Sequence, residues 1–368
     1  MRDSGTLSGE YSYLPIERVH FGQKSISKLS DELNRLGSKR PFLITGKSIV
    51  EQTDLSQLVE SASGRKLAGI FSGIKQHAPQ SGILEATIHA KLANADSLIS
   101  LGGGSPIDAT KIVAKELSEN FTRPILSHIA IPTTLSAAEF SHAAGMTDEA
   151  SRRKTGFRDT RLVPRIVFLD PEMTIPTPPW LWASSGIRCL DHAVESVYSP
   201  KHQPFVDTLA LEAIRLLFGN LKESTADQPN LGRRLICQMA AWTSFAGVLS
   251  VGTGMSHAIG RTIGATWNIP HGITSCLTLA EVMRLEASRN PERLVLIAEA
   301  EGRKLEGLSQ KEASLEASVG VSELVRALGL SKHLRDYGIT RDDLPRIARE
   351  SASSEDYSRA LHVLEGIL

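Results

Sequence analysis

The chain has 368 residues, enough for two domains and a large core, and its 41% apolar and 22% charged residues are ordinary for a globular protein. Lys+Arg and Asp+Glu balance at 41 each, which leaves no net charge for nucleic acid or an anionic membrane surface to attract. Cys189, Cys237 and Cys276 are odd in number and widely spaced, which argues against a disulfide framework or a CxxC zinc site and for reduced thiols in a cytoplasmic protein.

The opening MRDSGTLSGE is polar and lacks the apolar region of a signal peptide, and nowhere do about eighteen apolar residues run together to span a membrane. SISKLSDELNRLG then predicts a helix, and RPFLITG a strand that ends at Gly46. Thr45, Gly46, Lys47 and Ser48 do not make a Walker loop, because the first glycine that the loop requires is absent; they read as a strand-to-helix turn. LAGIFSG, DSLISLGGG, HIAIPTT and RIVFLD predict further strands, with the helical pattern ILEATIHAKLANA among them. Strands alternating with helices imply a mostly parallel sheet covered on both faces. The alternation stops at the proline-rich LDPEMTIPTPP, and from Trp180 onward the patterns are helical, as in PFVDTLALEAIRLLFG and LTLAEVMRLEAS. The expected architecture is an α/β dinucleotide-binding domain over residues 1–175 and an all-α domain over residues 176–368.

The most informative local pattern is DSLISLGGGSPIDATKIVA. A strand runs into Gly102, Gly103 and Gly104 and a helix follows at once, so the backbone can approach a ligand closely and offer free N–H groups to an anion such as a pyrophosphate. Ser105 fits the N-cap, Pro106 the first turn, and Asp108 can reach back as in a capping box. The usual GxGxxG fingerprint is absent. Thr133 and Thr134 close another strand, at the carboxyl edge where open α/β sheets bind ligands.

In the helical half, Arg188 and His192 stand four residues apart in GIRCLDHAVE and so share a helix face. His257 and Arg261 repeat the spacing in HAIGR, and His271 follows in NIPHG, where PHG opens a new helix. Three histidines suggest a metal or a proton relay; two arginines on the same faces suggest an anionic ligand.

In order along nearly the whole chain, GGGSPIDATK, IPTT, FLDPEMT, SSGIRCLDHAVES and SHAIGRTIGATWNIPHG resemble the iron-containing (group III) alcohol dehydrogenase family. YSYLPIERVHFG, QHAPQ, IPTTLSAAEF and KTGFRDTRLVPRIVFLDPEMT are most like maleylacetate reductases. The resemblance implies a nicotinamide cofactor, NADH or NADPH, with a cleft between two domains and a homodimeric assembly. By position, Gly102, Gly103, Gly104 and Ser105 would hold the pyrophosphate, Thr133 and Thr134 would flank the nicotinamide, and Lys154 would lie near its ribose. NAD-specific members carry an aspartate where this chain has Gly46, so the choice between NADH and NADPH stays open.

Metal-binding members use one aspartate and three histidines. His192, His257 and His271 match those histidines and would be the ligands of any metal, but Arg188 occupies the aspartate position and Arg261 replaces another histidine. Asp191, about 100° around the helix from His192, is not expected to take over. The reading is a metal-free, NAD(P)H-dependent oxidoreductase acting on a small anionic substrate. Arg188 and Arg261 would anchor the substrate, and His192, His257 or His271 would supply the proton. Two rivals stay open: a zinc- or iron-dependent alcohol dehydrogenase, and a lyase, dehydratase or cyclase without net redox chemistry.

Overall fold

The structure is a computed structural model that describes residues 9–149, 153–226, 228 and 230–368, the side chains of Arg153 and Lys154 excepted. It divides into two compact units, one of Tyr13–Thr177 and one of Pro178–Leu368 together with the N-terminal residues up to Ser12.

The first unit carries six strands: β1 (Arg18–Phe21), β2 (Pro41–Thr45), β3 (Gly69–Phe71), β4 (Ser97–Gly102), β5 (Ser127–Pro132) and, after a hairpin of β6 (Ala143–Asp148) with β7 (Arg153–Arg158), β8 (Ile166–Leu169). The sheet runs β1-β8-β5-β4-β2-β3 with every pair parallel, and the hairpin forms a separate two-stranded sheet. Its helices are α1 (Leu29–Arg35), α2 (Lys47–Gln52), α3 (Leu55–Ala62), α4 (Gln80–Leu92) and α5 (Gly104–Leu117). Successive strand residues serve opposite faces: Phe42, Ile44 and Leu98 pack with α4 and α5 through Ile83, Ala86 and Ile112. Leu43, Ile99 and Leu101 pack with α1 and α3 through Leu33 and Val59. Burial on both faces explains why these strands read as continuous apolar runs.

From β2 the chain steps outward to β3, then returns past β2 to β4. The order therefore reverses between β2 and β4, and their carboxyl ends, Thr45 and Leu101, are directly paired. Gly46 and Gly102–Gly104 emerge side by side there, at a topological switch point of the kind that receives ligands in open parallel sheets.

The second unit is helical: α6 (Pro179–Val197), α7 (Pro204–Ser224), α8 (Leu231–Phe245), α9 (Val248–Val251), α10 (Met255–Trp267), α11 (His271–Glu286), α12 (Pro291–Ala300), α13 (Gln310–Ala327), α14 (Leu344–Ser351) and α15 (Tyr357–Gly366). α6 is buried along nearly its whole length. The residues just before Tyr13, expected with the α/β domain, belong here instead. Tyr11 donates its hydroxyl to Ala246 O at 2.8 Å and meets Phe205 edge-on, and Glu10 O accepts from Gln203. Among the described residues no single helix is long and apolar enough to cross a membrane.

Candidate active site

The first set of site residues lies at the carboxyl edge of the parallel sheet. Gly102 has φ +138°, and a Cβ there would stand 2.9 Å from the Pro106 ring, so a side chain is doubly disfavoured. A Cβ on Gly103 would meet Thr134 Oγ1 at 3.1 Å, and one on Gly104 would meet Ser136 Oγ at 3.3 Å. The three glycines thus keep open a narrow space beside Thr134 and Ser136 at the amino end of α5. Thr133 N–H donates to Gly102 O at 2.9 Å, tying β5 to the loop. Gly46 ends β2 and precedes α2, 3.3 Å from Ile74 O by the same Cβ measure.

Two details of this loop differ from the sequence expectation. α5 starts at Gly104 with Gly103 as N-cap, so Ser105 is already inside the first turn. Its Oγ accepts the N–H of His77, whose backbone and that of Ala78 are both left-handed, at φ 64° and 47°. Asp108 does not reach back to cap the helix. Its Oδ1 accepts from Lys111 Nζ at 3.1 Å and its Oδ2 from Gly145 N–H at 3.1 Å, because the β6–β7 hairpin lies against α5. Lys154 sits on β7 opposite Thr147, and its side chain lies outside the described residues.

The second set gathers on α6, α10 and the start of α11. Arg188, Asp191, His192 and Glu195 follow the i, i+3, i+4, i+7 spacing of one helical face. Glu195 reaches the amino end of α10, where its carboxylate accepts the N–H groups of Gly254 and Ser256. Asp191 is fully buried, and its Oδ2 accepts from Ser256 Oγ at 2.9 Å and Ser275 Oγ at 2.6 Å. His257 Nδ1 stands 2.7 Å from Glu195 Oε2 and 3.3 Å from Asp191 Oδ2. Arg188 Nη1 donates to Ser275 Oγ at 3.2 Å and lies 3.6 Å from Asp191 Oδ2. Among the described residues its Nε and Nη2 have no protein partner.

Burial would raise the Asp191 carboxyl, but His257, Arg188 and Ser275 outweigh it and hold the group below the ordinary carboxylate range. Burial and Arg188 pull the His257 imidazole down, yet the carboxylates of Asp191 and Glu195 leave it above its usual value. His192, with its ring centroid 4.8 Å from that of His257, is driven well below it by burial, His257 and Arg188. The two imidazoles are therefore shifted in opposite directions, His257 toward its charged form and His192 toward its neutral form.

Asp191, not expected in the ligating set, nevertheless lies in this cluster. Three residues from Arg188 it turns about 60° to one side while His192 turns about 40° to the other, so both flank the arginine. Glu195, Ser256 and Ser275 were not singled out from sequence; the i+7 spacing of Glu195 from Arg188 was the available signal. Arg261 is exposed on α10, with Nη1 3.4 Å from Thr253 Oγ1, and His271 opens α11 as predicted.

The donor set can be tested against a divalent metal. His257 Nε2, His192 Nδ1 and Asp191 Oδ1 are buried without hydrogen-bond partners, which by itself favours a ligand. However, among the described residues the group whose donor atoms lie within 4.8 Å of one another is Asp191, Glu195 and His257, not His192, His257 and His271. Its carboxylates already accept from two backbone amides and two hydroxyls. The Arg188 guanidinium also lies beside Asp191. At about 4 Å and an effective dielectric near 20, a dication and a guanidinium repel by about 8 kcal/mol. Asp191, Glu195 and His257 thus come close enough to hold a metal ion, while the Arg188 cation beside Asp191 opposes one.

Sequence profiles of two regions match this chain: the iron-containing alcohol dehydrogenase profile over residues 16–171, and the C-terminal profile of the Fe-containing alcohol dehydrogenase family over residues 182–360. Lactaldehyde reductase of Escherichia coli (strain K12) is 30% identical over 349 residues, 90% of this chain and 91% of that protein. Maleylacetate reductase 1 of Cupriavidus pinatubonensis (strain JMP 134 / LMG 1197) is 30% identical over 342 residues, 92% of this chain and 89% of that protein. The crystal structure of a 1,3-propanediol oxidoreductase superposes with a TM-score of 0.91 at 26% identity, covering 98% of this chain and 100% of the other.

Proposed function

The chain belongs to the iron-containing alcohol dehydrogenase family and is an oxidoreductase of that family, and from that premise we propose a metal-free, NAD(P)H-dependent reductase of unsaturated or keto carboxylic acids, resembling maleylacetate reductase. One observation carries the reading: a largely buried guanidinium, Arg188, at the position where the family resemblance puts a ligating aspartate, has Nε and Nη2 unclaimed by the described residues. A planar fork of that kind suits a carboxylate, or the oxygen of a carbonyl under hydride attack. Arg261 adds a second cation one turn beyond His257.

In this reading the glycine loop and the amino end of α5 hold the cofactor pyrophosphate. Thr133 and Thr134 flank the nicotinamide and Lys154 lies near its ribose. A bound reduced nicotinamide would supply hydride to one carbon of the substrate double bond, and the chain's own residues would supply the proton to the other atom. His257 is the favoured proton source because the carboxylates of Glu195 and Asp191 stand 2.7 and 3.3 Å from its Nδ1 and favour its charged form, whereas burial disfavours that form in His192.

The test combines metal analysis with turnover. Purified protein should oxidise NADH or NADPH in the presence of an unsaturated or keto carboxylic acid, with no stoichiometric metal and no loss on chelation. Activity that requires zinc or iron would overturn the metal-free part. Product formed in a single turnover without loss of the reduced-nicotinamide absorbance would overturn the reductase part in favour of a lyase, dehydratase or cyclase.

A further inference from the structure

Lys111 lies on α5 among Ile107, Ala109, Ile112 and Val113, all buried, and its own side chain is 0% exposed. An apolar residue is the default at such a position, since burying an ammonium costs several kcal/mol unless each proton finds an acceptor. Each does. Nζ donates to Asp108 Oδ1 at 3.1 Å, Ala138 O at 2.7 Å and Ala143 O at 2.8 Å, which uses the three donors of a charged lysine. Asp108 passes the connection on through Gly145 N–H. One cation thus ties the helix that begins at the glycine loop to two points of the chain that returns from Thr133, Thr134 and Ser136.

That return segment has little freedom. With Thr134 and Ser136 at 3.1 and 3.3 Å from where side chains on Gly103 and Gly104 would begin, a drift of about 1 Å would close the space beside the glycines or widen it. Beside Lys111 the Glu139 carboxyl is 1% exposed, and among the described residues its Oε2 has no hydrogen-bond partner. Thr133 N–H to Gly102 O and Thr177 Oγ1 to Thr133 O hold the start of the segment, and the lysine holds its far end at Ala138 and Ala143.

We propose that Lys111 is a positioning residue for the nucleotide, setting the distance between the glycine loop and the Thr133–Ser136 segment. The inference rests on the nucleotide assignment above, and the experiment separates the two. Binding of NADH and NADPH is titrated for the wild type, for Lys111→Met, and for the double variant Lys111→Met/Asp108→Asn. The double variant removes the orphaned charge and keeps an acceptor for Gly145; buried ion pairs replaced together often leave stability nearly unchanged. Lys111→Met should weaken the preferred nucleotide at least tenfold, and the double variant should recover thermal stability without recovering that affinity. A wild type that binds neither nucleotide overturns the underlying assignment. A folded Lys111→Met within twofold of a wild type that binds overturns the positioning role. So does a double variant whose affinity recovers along with its stability, or unfolding of both variants, because each makes Lys111 a structural residue only.

Discussion

Replacing Arg188 with alanine should separate its two attachments. Toward substrate, Nε and Nη2 can each make a charge-assisted hydrogen bond worth about 1.5–3 kcal/mol. Because the side chain is 14% exposed, the lower figure applies, and two such bonds give about 3 kcal/mol, roughly a hundredfold in kcat/KM. Toward the protein, the variant strips a cation from Asp191, which is fully buried. Breaking a buried pair costs about 3–5 kcal/mol, but the separation is 3.6 Å and Asp191 keeps His257, Ser256 and Ser275. About 2 kcal/mol of stability is the expected loss. The assay compares kcat/KM for a reducible carboxylic acid and its methyl ester, with urea unfolding run in parallel. The acid should lose its hundredfold and the ester far less. Equal losses for both would show that the variant damages the site without removing a carboxylate anchor, and normal kinetics on the acid would refute the argument.

Arg188→Asp should create zinc affinity that the wild type lacks, measurable by titration calorimetry; stoichiometric metal in the untreated wild type would contradict the reading. Gly103→Val should abolish nucleotide binding while the circular dichroism spectrum persists, since its Cβ starts only 3.1 Å from Thr134. Gly46→Asp should shift preference toward NADH, and improved NADPH binding would show that the adenosine end lies elsewhere. His128, buried and bonded to Ser100, is pushed down to about 3 by burial and by Lys111, so between pH 6.5 and that value the unfolded chain holds the extra proton. Stability from this group is present above pH 6.5 and falls with acidification by about 1.4 kcal/mol per pH unit. His128→Gln should flatten that slope in urea titrations from pH 7 to pH 5. Light scattering should return a dimer mass at micromolar concentration, as closed two-fold symmetry favours.

Of the strands legible in the sequence, β2, β4, β5 and β8 are buried on both faces, whereas β3, read in LAGIFSG, exposes Ile70. β1 escaped notice because Arg18 and His20 interrupt its pattern: both serve Glu32 of α1, a polar contact that hydropathy cannot register. The β6–β7 hairpin, AAGMTD against RKTGFR, shows no alternation of its own and is stabilised partly through Asp108 on another element. Ser105 looked like a cap because a serine after glycines at a helix start usually is one; the backbone of His77 claims its hydroxyl oxygen. Helical spacing brought Arg188 and His192 together correctly. It failed for Asp191, where sequence adjacency to His192 concealed that both residues flank the arginine. Lys111 was unreadable because a lone lysine in a helix ordinarily points to water.

Glu195 has a bearing on how this site can change. Its carboxylate occupies the amino end of α10, satisfying donors that a helix start leaves open and complementing the helix dipole. The placement of α10, with His257 and Arg261 on it, is consequently fixed by a protein-to-protein latch and does not wait for any guest between the helices. Position 188 lies outside that latch: an exchange there acts on Asp191 and Ser275, while the Glu195 contacts with Gly254 and Ser256 do not involve it.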